Sequence, residues 1–283
     1  MIIRNTENKS NPFLDKLKNE ITYCDLQGLI FGVPKEKIEF SIVSKELLPL
    51  TGVEAVQLSD NENTEKSHRA FSDNDWKLKL NFCQSLNADL FLVTYSKNNF
   101  FIESIKKQDN GQFIFASQDK LNNDEFVNWW KTKKGTKQSK AMVEGRKEQR
   151  KTIFDNVLEP RVYWGGNIDG IMFDHDFNPI VLIENRLSGQ ETVHTYNPAK
   201  WFHGTRQKGG DYMTWLPLWY ISKYLGVPLV LLTYSKYNPD KCGAAVIENM
   251  NKDGIFYEEN PPHMNILDSP QKCATWLQNV AKK

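Results

Sequence analysis

Asp169 and Glu184 are the two residues whose placement most suggests chemistry. Asp169 sits in an apolar run, Trp164-Gly-Gly-Asn-Ile-Asp169-Gly-Ile-Met-Phe173, and Glu184 in a second, Ile180-Val-Leu-Ile-Glu184-Asn-Arg186. A polar stretch, Asp174 to Pro179, separates them. Two β-rich runs around a turn cluster predict a β-hairpin. Folding the chain about Asp176-Phe177 brings Asp169 opposite Glu184, with Cβ atoms roughly 4.5–5.5 Å apart. Like charges facing each other across a ladder repel. Two carboxylates set among isoleucines and leucines therefore call for a cation between them. Mg²⁺ suits the place, since it is hard, takes oxygen ligands and is often held by one or two carboxylates. Mn²⁺ is the alternative ion. The backbone carbonyl of Asn185 offers a third oxygen.

An Asp, a hairpin and a Glu-x-Arg tract resemble the PD-(D/E)xK nuclease superfamily. The resemblance covers roughly residues 140 to 250. It implies a restriction-endonuclease-like core, a mixed central sheet flanked by helices, and places the chain among α/β (α+β) folds. It implies metal ligation by Asp169 and Glu184 and catalysis by the same two residues with Arg186 in the lysine position. The helix before the hairpin would offer Glu144 or Glu148, one turn apart. Two departures stand out: Ile168 replaces the family proline, and Arg186 the family lysine. An arginine keeps its proton at any working pH, so Arg186 would stabilise phosphate charge rather than act as a base. The other reading of Arg186 is an ion pair with Glu184 or Asp169, in which case the domain is an inactive nuclease fold that binds nucleic acid or a protein partner. Glu144 and Glu148 also have a plainer reading, as balance for the lysines and arginines around them.

The elements that would position this site follow in order. A helix from Ala141 to Leu158 precedes the hairpin and stops at Pro160. A second helix opens at Asp211 and runs to Tyr224, with Pro217 forcing a kink or a start near Leu216. Strands follow at Val227 to Tyr234 and Gly243 to Ile247. Upstream, strand-like runs lie at Leu26 to Val33, Ile38 to Val43, Val53 to Leu58, Leu90 to Tyr95, Phe100 to Ile105 and Phe113 to Phe115. Residues 59–75 read as an acidic loop. Helical spacing marks Phe13 to Leu17, Trp76 to Leu86 and the stretch after Asp124. The basic stretch Lys131 to Lys140 divides the chain into an α+β domain, 1–135, of antiparallel character, serving recognition or dimerisation, and a catalytic domain, 136–283.

One internal echo crosses that boundary. Trp76 to Lys97 aligns without gaps on Trp215 to Lys236, and 8 of the 22 positions match, including the opening Trp and the Thr-Tyr-Ser-Lys that closes each copy. It admits a duplication, in which residues 20–106 are a degenerate nuclease-like unit with Asp25 and Ile38 to Lys45 where the motif residues would fall. It also admits two merely similar helix–strand units.

Charge and composition set the remaining bounds. The net charge is +1 over 283 residues, yet Lys131 to Lys151 holds nine basic side chains and two acidic ones. Such a run suits a phosphate backbone, and equally a solvated helix face. Lys137, Lys140 and Arg146 in it, with Gln190, His203, Arg206 and Lys208 of the long loop after the hairpin, are the candidate contacts to double-stranded DNA. His175, between Asp174 and Asp176, is better explained by turn chemistry than by metal binding. The four cysteines are far apart, with no Cys-x-x-Cys, which predicts reduced thiols and a cytoplasmic protein. No apolar leader and no run of about 18 apolar residues appears, so neither secretion nor a membrane span is expected. A homodimer would match the two-fold symmetry of duplex DNA. The function expected is a Mg²⁺-dependent endonuclease of restriction or phage-defence type. A carbohydrate-active enzyme, which two carboxylates and eight tryptophans permit, ranks last, because facing acids on a buried hairpin suit a metal better than a sugar ring.

Overall fold

The computed structural model describes residues 3–4, 12–31, 49–58, 64–96, 99–134, 157–158, 166–188, 212–235, 241–251, 253–257 and 265–283. The elements in chain order are β1 (Ile3–Arg4), α1 (Pro12–Leu17), β2 (Thr22–Phe31), β3 (Pro49–Gln57), α2 (Asp73–Ser85), β4 (Asp89–Ser96), β5 (Asn99–Lys107), β6 (Phe113–Leu121) and α3 (Asn123–Lys134). Then come β7 (Gly166–Phe173), β8 (Pro179–Ser188), α4 (Tyr212–Leu225), β9 (Leu229–Ser235), β10 (Cys242–Asn251), β11 (Gly254–Tyr257), β12 (Asn265–Leu267) and α5 (Pro270–Ala281). The class is mixed α/β, with mixed sheets flanked by helices. No described helix is long and apolar enough to cross a membrane.

The chain divides into two compact units that interleave in sequence. The first comprises Met1–Glu7, Leu26–Ile38 and Ser44–Asn167; the second comprises Asn8–Asp25, Glu39–Val43 and Ile168–Lys283. The contacts thus follow an interleaved course, where the composition suggested a single boundary near residue 135. Strand β2 is shared out, Tyr23 belonging to the second unit and Gln27 to the first.

In the first unit the strand order is β2-β3-β4-β5-β6, with β1 added on β3. Strands β3 and β4 run parallel, joined through α2, and every other pairing is antiparallel. The antiparallel character expected of this region is corrected at that one pairing, because a helical crossover returns the chain in the same direction. Ser72 caps α2 with a reciprocal box: its hydroxyl accepts from Asp75 N–H at 3.1 Å, and Asp75 accepts from Ser72 N–H at 3.0 Å. Residues 59–75, expected as loop, thus contain the start of α2 and a 3₁₀ turn at Thr64–Ala70. Phe126, Val127 and Trp130 of α3 pack on Val53, Ala55, Phe91, Val93 and Ile102, one face of the sheet. Alternation sends Glu54 and Leu92 to the other face.

In the second unit the order is β7-β8-β9-β10-β11, with β12 on β10. Strands β8 and β9 are parallel through α4, and the remaining pairs are antiparallel. Helices α1 and α5 bury Phe13, Leu14, Leu17, Cys273, Ala274 and Leu277 against Met172, Val181, Ile183, Val230, Leu232 and Tyr234. Ser269 caps α5 by accepting from Lys272 N–H at 3.2 Å, with Pro270 in the first turn. Helix α4 continues through Pro217 instead of starting there. Cys24, Cys83, Cys242 and Cys273 are buried thiols.

The two units repeat one another. Each is strand–strand–helix–strand–strand–strand, with the same strand order and the same single parallel pairing. The echo between Trp76–Lys97 and Trp215–Lys236 falls on α2–β4 and α4–β9.

Candidate functional site

The hairpin β7–β8 has the register that the sequence implied. Gly170 pairs with Ile183, Ile171 with Leu182 and Met172 with Val181. The ladder ends at Gly170 and Ile183; continued by one step, its register would bring Asp169 opposite Glu184. The ladder slips by one residue between Met172 and Phe173, so the turn is not symmetric. Asp174 builds that turn, its carboxylate accepting from Asp176 N–H at 2.9 Å and from Asn178 N–H at 2.8 Å. His175 is exposed and meets Asp176 at 3.2 Å.

Alternation along each strand turns both acids away from Met172, Ile183 and the α1–α5 core, to the face where Arg186 meets Trp215 of α4. Asp169 is 8 % and Glu184 5 % exposed. Asn185 N–H donates to Asp169 Oδ2 at 2.9 Å, tying the acid of one strand to the backbone of the next. Arg186 Nη2 lies 2.8 Å from Glu184 Oε1. Its guanidinium rests on the ring of Trp215, 5.3 Å from the centroid, so α4 supplies the cation's platform.

The opposite face holds the backbone of Asp169 in place. Tyr23 donates its hydroxyl proton to the Asp169 carbonyl. Tyr234 donates to Asn185 Oδ1 at 2.9 Å, and Asn185 Nδ2 donates to Tyr23 Oη at 3.4 Å. Gly170 makes room for this chain, since a Cβ there would stand 2.5 Å from Tyr23 Oη and 2.6 Å from Cε2. Gly170→Ala should therefore cost about 1–3 kcal/mol, the usual penalty of overpacking a core, read as a lowered urea midpoint.

Burial pushes the phenol of Tyr23 well above its ordinary value, and Asp25 and Asp169 push the same way. Burial does the same to Tyr234. Both groups stay protonated in the folded unit after the unfolded chain has begun to release their protons. Their contribution is whole below the unfolded value of about 10 and is lost as pH rises above it. Urea midpoints near pH 8 and pH 10.5 should fall in that order, and Tyr23→Phe with Tyr234→Phe should narrow the difference.

No protein-family model, curated protein or solved structure matches the chain.

Of the residues singled out in the sequence, the structure brings together Asp169, Glu184, Asn185 and Arg186. Glu144, Glu148, Lys137, Lys140, Arg146, Gln190, His203, Arg206 and Lys208 lie outside the described residues, as do the helix expected over Ala141–Leu158 up to residue 156 and the run Ile38 to Val43. Among the described residues, no group of three or more His, Cys, Asp or Glu side chains could share a metal. Two carboxylates and the Asn185 carbonyl are what the hairpin itself offers. Tyr23, Tyr234 and Trp215 escaped sequence reasoning. Tyr23 lies three residues before the strand was expected to begin, and Trp215 and Tyr234 read simply as core.

Proposed function

We propose that the second unit is the catalytic centre of a Mg²⁺-dependent endonuclease resembling the PD-(D/E)xK enzymes, acting on double-stranded DNA in restriction or phage defence. The observation that carries this reading is the hairpin register at Gly170↔Ile183, from which strand alternation turns the buried Asp169 and Glu184 to one face. The parallel return of β9 through α4 beside that hairpin supports a restriction-endonuclease-like core.

The donor set fits the ion. Mg²⁺ binds through one or two carboxylates and keeps several waters, and Asp169, Glu184 and the Asn185 carbonyl are hard oxygens. Bound there, it would polarise a phosphate oxygen and acidify a water. The protein's own part is distinct. Asn185 N–H orients the Asp169 carboxylate, Tyr23 and Asn185 hold the strand behind it, and Trp215 seats Arg186. Arg186 brings a permanent positive charge to the phosphate as negative charge develops on it. The basic run Lys131 to Lys151 would supply attraction to the phosphate backbone. A homodimer would give a duplex two such centres, and the absence of paired cysteines suits a cytoplasmic setting.

One observation favours a second reading. The 2.8 Å approach of Arg186 to Glu184 already balances one acid, as in an inactive nuclease fold kept for binding. Incubation of supercoiled plasmid with Mg²⁺, against EDTA, separates the two. Open-circular or linear product that requires the metal supports the enzyme. A gel shift without cleavage supports the binding protein.

A further inference from the structure

We infer that the first unit contains the counterpart of the Asp169–Glu184 site, closed by Lys79, whose ammonium pairs with Glu54 in the place a metal ion would otherwise take. This rests on the reading of Asp169 and Glu184 as a divalent-cation site.

The correspondence is residue by residue. Strand β2 pairs Gly28 with Val53, as β7 pairs Gly170 with Ile183. Leu26-Gln-Gly-Leu-Ile-Phe31 then lies on Ile168-Asp-Gly-Ile-Met-Phe173. Both ladders end at that glycine pair, and one step beyond it the same register would set Gln27 against Glu54 and Asp169 against Glu184. The parallel ladders agree independently: Glu54 pairs with Leu92 and Glu184 with Leu231, and Leu92 and Leu231 are equivalent in the ungapped alignment from Trp76 and Trp215. A backbone detail repeats as well. Ala55 N–H donates to Gln27 Oε1 at 3.0 Å, as Asn185 N–H donates to Asp169 Oδ2 at 2.9 Å. Asp25 and the run Ile38 to Lys45 are therefore not the counterparts; Gln27 and Glu54 are.

What differs is the charge. In the second unit the cation is on the strand, at Arg186, and the helix contributes Leu218. In the first unit the strand has Val56 in that place, and the helix contributes Lys79 at the position of Leu218. Lys79 Nζ lies 2.7 Å from Glu54 Oε1, with the two side chains 1 % and 0 % exposed. Gln27, Glu54 and Lys79 together carry no formal charge, whereas Asp169, Glu184 and Arg186 carry a net −1. A divalent ion entering the first unit would have to displace a buried ammonium from its partner and accept a neutral amide oxygen in place of a carboxylate. Gln27 Nε2, buried, has no hydrogen-bond partner among the described residues, as expected where an amide has replaced an acid. Among the described residues, each chain thus offers one divalent-cation site, with a second held latent.

Mn²⁺ binding to the full chain, counted by electron paramagnetic resonance, tests this. Gln27→Asp combined with Lys79→Leu should bind one more ion per chain than its parent and should show an Mn²⁺-dependent rise in Tm that the parent's first unit lacks. The milder Gln27→Asp with Lys79→Gln guards against loss of folding. Folded variants with no added ion overturn the inference. The charge-free pair Glu54→Gln with Lys79→Leu gives the complementary arm, where an unchanged count supports it and a lost ion overturns it. Asp169→Asn reads the other question: if the parent binds no ion that this change removes, the metal reading of the second unit fails, whatever the first unit gains.

Discussion

Asp169→Asn should lower plasmid cleavage about 1000-fold or more while leaving the fold intact. A metal's stabilisation of transition-state charge is worth several kcal/mol, and each 1.36 kcal/mol is a factor of about ten in rate. The change is isosteric, and Asn185 N–H can still donate to the side-chain oxygen that now meets it at 2.9 Å. The unfolding free energy from urea titration should therefore change by no more than about 0.5 kcal/mol, the range of changes that break no structural feature. Glu184→Gln should match the catalytic loss, and the double variant should be no worse than either, since residues acting as a unit are not additive. Glu184→Gln differs in one respect: it takes the carboxylate from Arg186, so it should also lose some stability. Cleavage that survives Asp169→Asn refutes the phosphodiesterase reading.

The second large effect belongs to the first unit. Lys79→Met should destabilise the protein by about 3–5 kcal/mol, because it strands the carboxylate of Glu54 in a dry interior. The ammonium is 2.7 Å from Glu54 and lies 4.9 Å from the Phe71 ring centroid, so it is held from two sides. Adding Glu54→Gln should restore most of the loss, since removing both charged partners of a buried pair is far cheaper than removing one. Chemical denaturation of the four members of this cycle measures the coupling directly. A single-variant loss below about 0.5 kcal/mol would put the pair in the class of solvated surface bridges, contrary to its burial.

The hairpin was legible because two apolar runs and a short turn leave few registers, and a one-residue slip would turn every buried side chain to the wrong face. The helix–strand echo was legible because Trp, Leu and the closing Thr-Tyr-Ser-Lys recur at one spacing. Its acidic half was not. A search for carboxylates settles on Asp25, when the equivalent position is the amide Gln27, and the connection between β2 and β3 has no counterpart in the short turn between β7 and β8. The shared glycine, Gly28 against Gly170, was the signal that could have aligned them. Lys79 reads as one more surface lysine between Leu78 and Leu80, although its spacing of three from Trp76 and from Phe82 puts it on the buried stripe of α2. Interleaving of the two units was illegible because α1 is a single short turn pattern whose partners, Cys273 to Leu277, come from the far end of the chain.

That interleaving constrains how the protein can be made. Phe13, Leu14, Leu17 and Tyr23 complete a core whose other wall is α5, synthesised roughly 250 residues later, some tens of seconds at ribosomal rates. Meanwhile the nascent amino-terminal segment must wait with its aromatic and leucine side chains exposed, a natural client for chaperones. Expressing residues 136–283 alone would omit α1 and Tyr23 from that core and should yield aggregate instead of a working half.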